Sequence, residues 1–203
     1  NEKEAVVGYS IQLPQPYTLE TYQVDRDSIP FYDVLEQEIQ KSPIKKGDRF
    51  DLSAMKLERE RIDQNFKQKG YYNFNSGFLI FQADTNKYDN RKFDLFLKLK
   101  KDVPSKAVKP YKINKVNVYP HNIVGTDSII KDTTRFDNKN YIQDVNFFRP
   151  DRLDPFITIN EEELYSPEKS KATSRRLGSI GAYKFVNIEY SEVDSLRNDT
   201  LNF

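Results

Sequence analysis

The cleanest pattern in the chain is an alternation. Phe93, Leu95, Leu97 and Leu99 are separated by Asp94, Lys98 and others that face away with Lys100. Period two puts successive side chains on opposite faces, so this segment predicts a half-buried strand. The same period runs through Val7, Tyr9, Ile11 and Leu13 until Pro14 and Pro16 end it. Nothing before Asn1 could pair with that segment, so residues 1–14 are expected to be the last strand of a preceding, truncated unit.

One apolar phrase occurs twice. Pro16-Tyr17-Thr18-Leu19 runs on to Tyr22 and Val24, and Pro110-Tyr111-Lys112-Ile113 runs on to Val116 and Val118. In each copy the phase jumps once, between Leu19 and Tyr22 and between Ile113 and Val116. All four apolar residues share one face only if one residue bulges there. Two copies in one order predict one supersecondary unit used in tandem.

After the first copy, Ser28 is an expected N-cap, with Pro30 in the first turn. Phe31, Val34, Leu35 and Ile39 predict a short amphipathic helix that Ser42-Pro43 and Gly47-Asp48 break. A second helix is expected from Asp51 or Ser53. Leu52, Met55, Ile62 and Phe66 form its apolar stripe, and Glu58, Arg59, Glu60, Arg61 and Asp63 cover its solvated side. Gly70 is placed to end it in left-handed conformation. Phe78 to Ala83 predicts a strand, and Asp84 to Asn90 a turn. The first unit reads β-α-α-β-β over residues 15–103.

Residues 104–110 form an expected linker inside a polar, extended stretch from Lys101 to Pro110. The second unit, 111–203, repeats the order with an insertion near 121–148, part of which packs through Tyr141, Val145, Phe147 and Phe148. Arg149 to Ile157 is its short first helix. Ser166-Pro167 then starts a helix with Thr173, Leu177 and Ile180 inward. From aromatic to glycine the second helix region is four residues shorter than the first (Tyr165 to Gly181 against Phe50 to Gly70), about one helical turn. Phe185 to Tyr190 is an expected strand, and Leu201 and Phe203 the start of a last strand, cut short.

Composition narrows function more than fold. Of 203 residues, 31% are charged and 37% apolar, with 13 Tyr and 14 Phe supplying large buried area to two small cores. Mean hydropathy is −0.79, and no run approaches the roughly 20 apolar residues of a spanning helix. A formal charge of +1 gives no global field to steer nucleic acid or anionic membrane. The absence of cysteine removes disulfides, zinc–thiolate sites and thiol nucleophiles.

Candidate chemistry is sparse. His121 is the single histidine, follows Tyr119-Pro120, and has no HxH or HExxH companion. The carboxylates Glu58 and Glu60, and Glu161-Glu162-Glu163, are expected to be solvated helix-surface and helix-start charges. Asp84-Thr85-Asn86 with Asp89-Asn90 lacks the density of a calcium loop and reads as a hairpin turn. No GxSxG elbow exists. Gly178-Ser179-Ile180-Gly181 reads as a helix C-cap and not as a nucleic-acid GxxG clamp.

Together, Leu57-Glu58-Arg59-Glu60-Arg61-Ile62, Lys69-Gly70-Tyr71-Tyr72-Asn73-Phe74, Ala83-Asp84-Thr85, Arg175-Arg176-Leu177 and Gly181-Ala182-Tyr183-Lys184-Phe185-Val186-Asn187-Ile188 resemble the POTRA (polypeptide-transport-associated) region of BamA- and TamA-like outer-membrane assembly proteins. The resemblance covers nearly the whole chain. It implies an α+β fold of tandem β-α-α-β-β units, each a three-stranded mixed sheet covered by two helices. It also implies a non-enzymatic periplasmic segment placed before a C-terminal β-barrel. Implied partners are unfolded outer-membrane proteins, periplasmic or inner-membrane proteins and that barrel; no cofactor, metal, nucleic acid or small-molecule substrate is implied.

In that arrangement the strand Phe78, Leu79, Ile80, Phe81, Gln82 and Ala83 lies on a sheet edge. Its four consecutive apolar residues put hydrophobic groups on both faces. An uncharged apolar edge must be used or covered. It could take an extended client by β-augmentation. Otherwise its second face packs on the neighbouring unit or the linker, and the repeats act as a spacer that docks a partner subunit.

Overall fold

A computed structural model describes residues 5–26, 31–121, 132–145, 148–193 and the backbone of 200–202. The chain forms two compact units, residues 1–58 with 79–99, and residues 59–78 with 100–203.

The first unit is built on a mixed sheet of β1 (Thr18–Val24), β2 (Leu79–Asp84) and β3 (Lys92–Leu99). The order is β1-β3-β2, with β1 parallel and β2 antiparallel to the central β3. The expected bulge is present: the β1–β3 register shifts between Leu19 and Thr21. Glu20 is therefore the extra residue, and it is held outside the sheet by Lys46 and by Lys92 at 2.8 Å. The shift returns Tyr22 to the face of Leu19, where Leu19, Met55, Phe93 and Leu95 pack with Tyr22, Ile44 and Phe81. Helix α1 (Tyr32–Gln40) follows Phe31 and buries Leu35. The proposed cap Ser28 and Pro30 lie outside the described residues.

Helix α2 (Leu52–Gln68) starts as expected, with Asp51 Oδ1 accepting from the Ser53 N–H at 2.7 Å. Its stripe differs from the sequence reading. Leu52 is exposed, and Met55, Glu58, Ile62 and Phe66 are buried. Those positions are three, four and four apart, so Glu58 belongs to the inward row by geometry alone. Asp63, also expected to be solvated, is largely covered and pairs with Lys67 at 3.0 Å. At the helix end Gly70 has φ +94°, the Tyr71 N–H reaches the Phe66 carbonyl at 3.1 Å, and a Cβ on Gly70 would meet Leu164, Pro110 and Tyr111 at 3.2–3.3 Å. Glycine is required there both for conformation and for space.

The second unit contains a sheet of the same order. β4 (Lys112–Lys115) is parallel to β9 (Thr200–Asn202), which is antiparallel to β8 (Ser191–Glu192). Here too the register shifts, between Ile113 and Lys115. Helix α4 (Pro167–Ser179) has 13 residues where α2 has 17, the one-turn difference that the sequence spacing implies. Short helix α3 (Pro150–Leu153) continues into a 3-10 turn, Asp154–Phe156.

The insertion forms structure of its own. β6 (Asp132–Phe136) and β7 (Lys139–Gln143) make a hairpin across Asp137 and Asn138, both at positive φ (42° and 57°) as a type I′ turn requires. β7 also pairs in parallel with β5 (Asn117–Val118). Tyr141 packs there with Leu153 and Ile157, and Phe148, Leu177, Ile180 and Tyr183 close over them. Val145, expected to pack, is exposed, and Phe147 lies outside the described residues. Lys139 is buried against Asp154 at 2.9 Å, and the Tyr141 hydroxyl donates to the same Asp154 oxygen at 2.8 Å.

Three expected backbone states differ. Residues 5–17 form no strand, and Val6, Val7, Tyr9, Ile11 and Leu13 are exposed. Alternation supplies an apolar face, but a strand exists only by pairing, and no described strand pairs with this segment. Phe185 to Tyr190 is likewise unpaired as a ladder, although Val186, Ile188 and Tyr190 stay half-buried in alternation. The ladder begins at Ser191, opposite Asn202 of β9. The stretch 101–110 is not uniformly extended, since Ser105–Val108 makes a 3-10 turn that buries Ala107.

Candidate functional site

Five of the six sequence-predicted residues fall together on one strand, and Phe78 lies just before it. Phe78 closes a 3-10 turn (Ser76–Phe78), and Leu79, Ile80, Phe81, Gln82 and Ala83 belong to β2. Among the described strands β2 pairs with β3 alone, so it is an edge strand.

Its hydrogen-bonding phase follows from two contacts. The Phe78 carbonyl accepts from the Lys100 N–H at 2.9 Å, and the Leu97 carbonyl, opposite Phe81, is turned toward β1, where it accepts from the Asp25 N–H at 2.9 Å. In an antiparallel ladder these states alternate. Ile80 and Gln82 therefore spend their backbone groups on β3, and Phe81 and Ala83 turn theirs away from it. Side-chain direction has the same period. Phe81 and Ala83 point to the helix-covered face, where Phe81 stacks on Tyr22 at 5.9 Å. Ile80, half exposed, points to the other.

At the Ala83 end the helix-covered face opens into a cleft of about 540 Å³ lined by Pro14, Pro16, Tyr17, Phe50, Ala83 and Phe93, with Thr85 and Arg91 at its margin. Local backbone bonds place Phe50: Gly47 donates to Leu19, Leu19 to Asp48, and Phe50 to Tyr17, all at 2.8–3.0 Å. Gly47, at φ +92°, turns the chain into that position. Phe50 meets Phe93 edge-on at 5.4 Å, and Arg91 donates to the Gln15 carbonyl at 2.7 Å. The sequence reading missed this cleft, because its walls come from four separate segments with no shared pattern.

On the opposite face of the sheet lies Asp94, turned away from the core as the alternation expects, and nevertheless buried. It accepts from Thr21 Oγ1 at 2.6 Å, Lys87 Nζ at 2.9 Å and the Tyr88 hydroxyl at 3.0 Å. Burial alone would raise its carboxyl, but these donors outweigh it and hold the group below the usual carboxylate range. Alternation correctly places Asp94 off the core face; it does not show that the turn after β2 folds back over that face.

The other carboxylates are also structural. Glu58, expected on the solvated side, is buried and faces the Tyr22 hydroxyl at 3.5 Å. Glu161, also expected to be solvated, accepts from the two terminal nitrogens of the Arg135 guanidinium (2.9 and 2.5 Å) and the Val116 N–H at 3.3 Å. Burial opposes its charge, and those bonds still lower its pKa. Glu163 is held by Lys169 and Asn160. His121 sits in a bend, and the Asp84 carboxylate caps the Asn86 N–H at 2.9 Å as a turn residue. Among the described residues no group of three or more His, Asp or Glu could hold a metal ion, and no helix is long and apolar enough to cross a membrane.

No protein-family model matches the chain, and no curated protein does. Solved structures do. The chain is similar to BamA from Haemophilus ducreyi lacking POTRA domains 1–3, at 13% identity and a TM-score of 0.55, over 93% of this chain and 28% of that one. BamA POTRA3-5 from Haemophilus influenzae aligns at 14% identity and a TM-score of 0.48, over 92% and 59%. POTRA1-3 of Omp85 from Anabaena aligns at 11% and 0.38, over 93% and 65%. This chain therefore spans less than two thirds of each. With its small mixed sheets and helices, the chain has the α+β fold that aligns with the structure of BamA from Haemophilus ducreyi lacking POTRA domains 1–3.

Proposed function

We propose that the chain is a non-enzymatic periplasmic segment of an outer-membrane β-barrel assembly or translocation protein, and that β2 receives extended polypeptide by β-augmentation. The observation that carries this is the phase of β2. An edge strand with Ile80 and Phe81 on its two faces turns the N–H and C=O of Phe81 and Ala83 away from β3, its one partner among the described strands. Backbone bonds of that kind tolerate many client sequences. The clients would be unfolded outer-membrane proteins, or a periplasmic or inner-membrane partner, with the chain's own barrel following. Two sheets of one strand order, each bulged at the same place in its first strand, support the tandem reading over 15–103 and 111–203 with a linker at 104–110.

The test is Ala83→Pro. Proline there removes one outward N–H and none of the β2–β3 bonds, a position edge strands tolerate. Gln82→Pro instead removes an inward bond and should destabilise the sheet. Binding of a fluorescent strand-forming peptide should weaken at least tenfold in Ala83→Pro with its far-UV spectrum unchanged. Undiminished binding by that folded variant would rule the edge out.

A spacer role has one observation of its own. The second unit's equivalent edge, β8, is two exposed polar residues long, Ser191 and Glu192, and Asn73 and Lys106 already engage Glu192. Among the described residues, that edge is shorter and more polar than β2. That unit's inserted hairpin would then serve to dock a partner subunit without binding client peptides.

A further inference from the structure

We infer that the cleft at the Ala83 end of β2 is a selectivity pocket for one bulky apolar side chain, aromatic by preference, of a polypeptide strand paired to that edge; this rests on the edge reading above. Residues directly opposite in a ladder put their side chains on one face of the sheet. A client residue that exchanges backbone bonds with Ala83 therefore lays its side chain beside the Ala83 methyl, on the helix-covered face. That is the face into which the cleft opens.

The room is there because of a gradient along β2. On this face Leu79 is fully buried, Phe81 half-buried and Ala83 exposed. The side chain shrinks to a methyl where the wall recedes. At about 540 Å³ the cleft has the size of a small-ligand pocket, for which roughly 300–1,000 Å³ is usual. It is walled by the prolines Pro14 and Pro16 and the rings of Tyr17, Phe50 and Phe93. Tyr17 and Phe50 are each close to half exposed, so they have ring surface left to cover. The Phe50–Phe93 pair already shows the edge-on packing an incoming ring would extend. Arg91, fixed by its bond to the Gln15 carbonyl, sets a guanidinium at the margin, where a cation over a ring face is favourable. The client residue two positions along faces Phe81, where the face is already filled. Recognition is thus strict at one register position and permissive beside it.

The experiment uses synthetic strand peptides of about ten residues, the length of a barrel strand. They alternate Thr and Val, and a single Phe, Leu or Ala guest is walked along them. Affinity for the 203-residue chain is read by fluorescence anisotropy. One register should favour Phe over Ala about tenfold, with Leu between them. In Ala83→Trp, which fills the cleft from inside, the ratio of Phe-guest to Ala-guest affinity should fall to within twofold. If Ala83→Trp does not fold, Phe50→Ala carries the same test and should weaken the Phe preference selectively. Peptides that bind with no guest preference at any register would overturn the pocket and leave the edge reading standing. No binding by any peptide would overturn both.

Discussion

Asp94 shows how a single residue departs from its pattern. It sits between Phe93 and Leu95, points away from the core, and is nevertheless buried because Lys87 and Tyr88 fold over it. Its carboxylate gathers one charged and two hydroxyl donors, so Asp94→Asn should cost about 1.5–3 kcal/mol at pH 7, the scale of a hydrogen bond to a charged group. The sign with pH follows from the depressed folded pKa. The stabilisation is complete above the unfolded aspartate value, about 3.9, and is lost as pH falls through the lower folded one. Urea midpoints of wild type and variant should therefore differ at pH 7 and converge in acid. Glu58 teaches the complementary lesson. Its spacing from Met55 and Ile62 fits the buried row of α2, so its burial was readable from position, although its charge argued against it. For Glu58 position decided over chemistry; for Asp94 both pointed outward, and the turn that folds over it decided.

At the scale of elements the most legible feature was the bulge. Four apolar residues with one jump of phase have one solution in a strand, and β1 and β4 both adopt it. Helix lengths were legible for a similar reason, since the distance from aromatic to glycine is fixed by rise per residue. Pairing was not. Val7 to Leu13 and Phe185 to Tyr190 alternate as well as β3 does, yet neither forms a ladder, because a ladder depends on a neighbour that local pattern does not encode. The hairpin β6–β7 was missed for the opposite reason: its β6 is exposed throughout, so no alternation marks it. The cleft beside β2 was missed because its walls are distant in sequence. The bulge also makes a direct prediction. Glu20 is the extra residue, so deleting it leaves Leu19, Thr21, Tyr22, Gln23 and Val24 in regular alternation, with Tyr22 and Val24 still inward. The sheet should tolerate that deletion at a cost within the ordinary range of about 0.5–3 kcal/mol, whereas deleting Gln23 turns Val24 to the outer face and should cost more. Amide exchange of β1 in the two deletion variants separates the outcomes.

For the whole molecule the unresolved demand is the apolar segment Val7–Leu13. Val7, Tyr9, Ile11 and Leu13 lie 70–88% exposed on one side of an extended stretch. Such a face is an association hazard unless a sheet takes it up. The alternation, with Pro14 and Pro16 closing it, is the pattern of a strand that has a partner. If it is the last strand of another unit, a longer piece of the same reading frame should supply its neighbours. Hydrogen exchange of the Val7 to Leu13 amides should then slow by at least a hundredfold in the longer polypeptide, at any protein concentration. In the 203-residue chain the same amides should exchange near the unstructured rate when dilute. Protection that appears in the 203-residue chain only on concentration would assign the segment to a second copy instead. It would then be a donor strand for an edge such as β2, and the tandem reading would lose its preceding unit. The two outcomes differ in order of reaction, so a dilution series decides between a chain that continues its own row of sheets and one that borrows an edge from its neighbour.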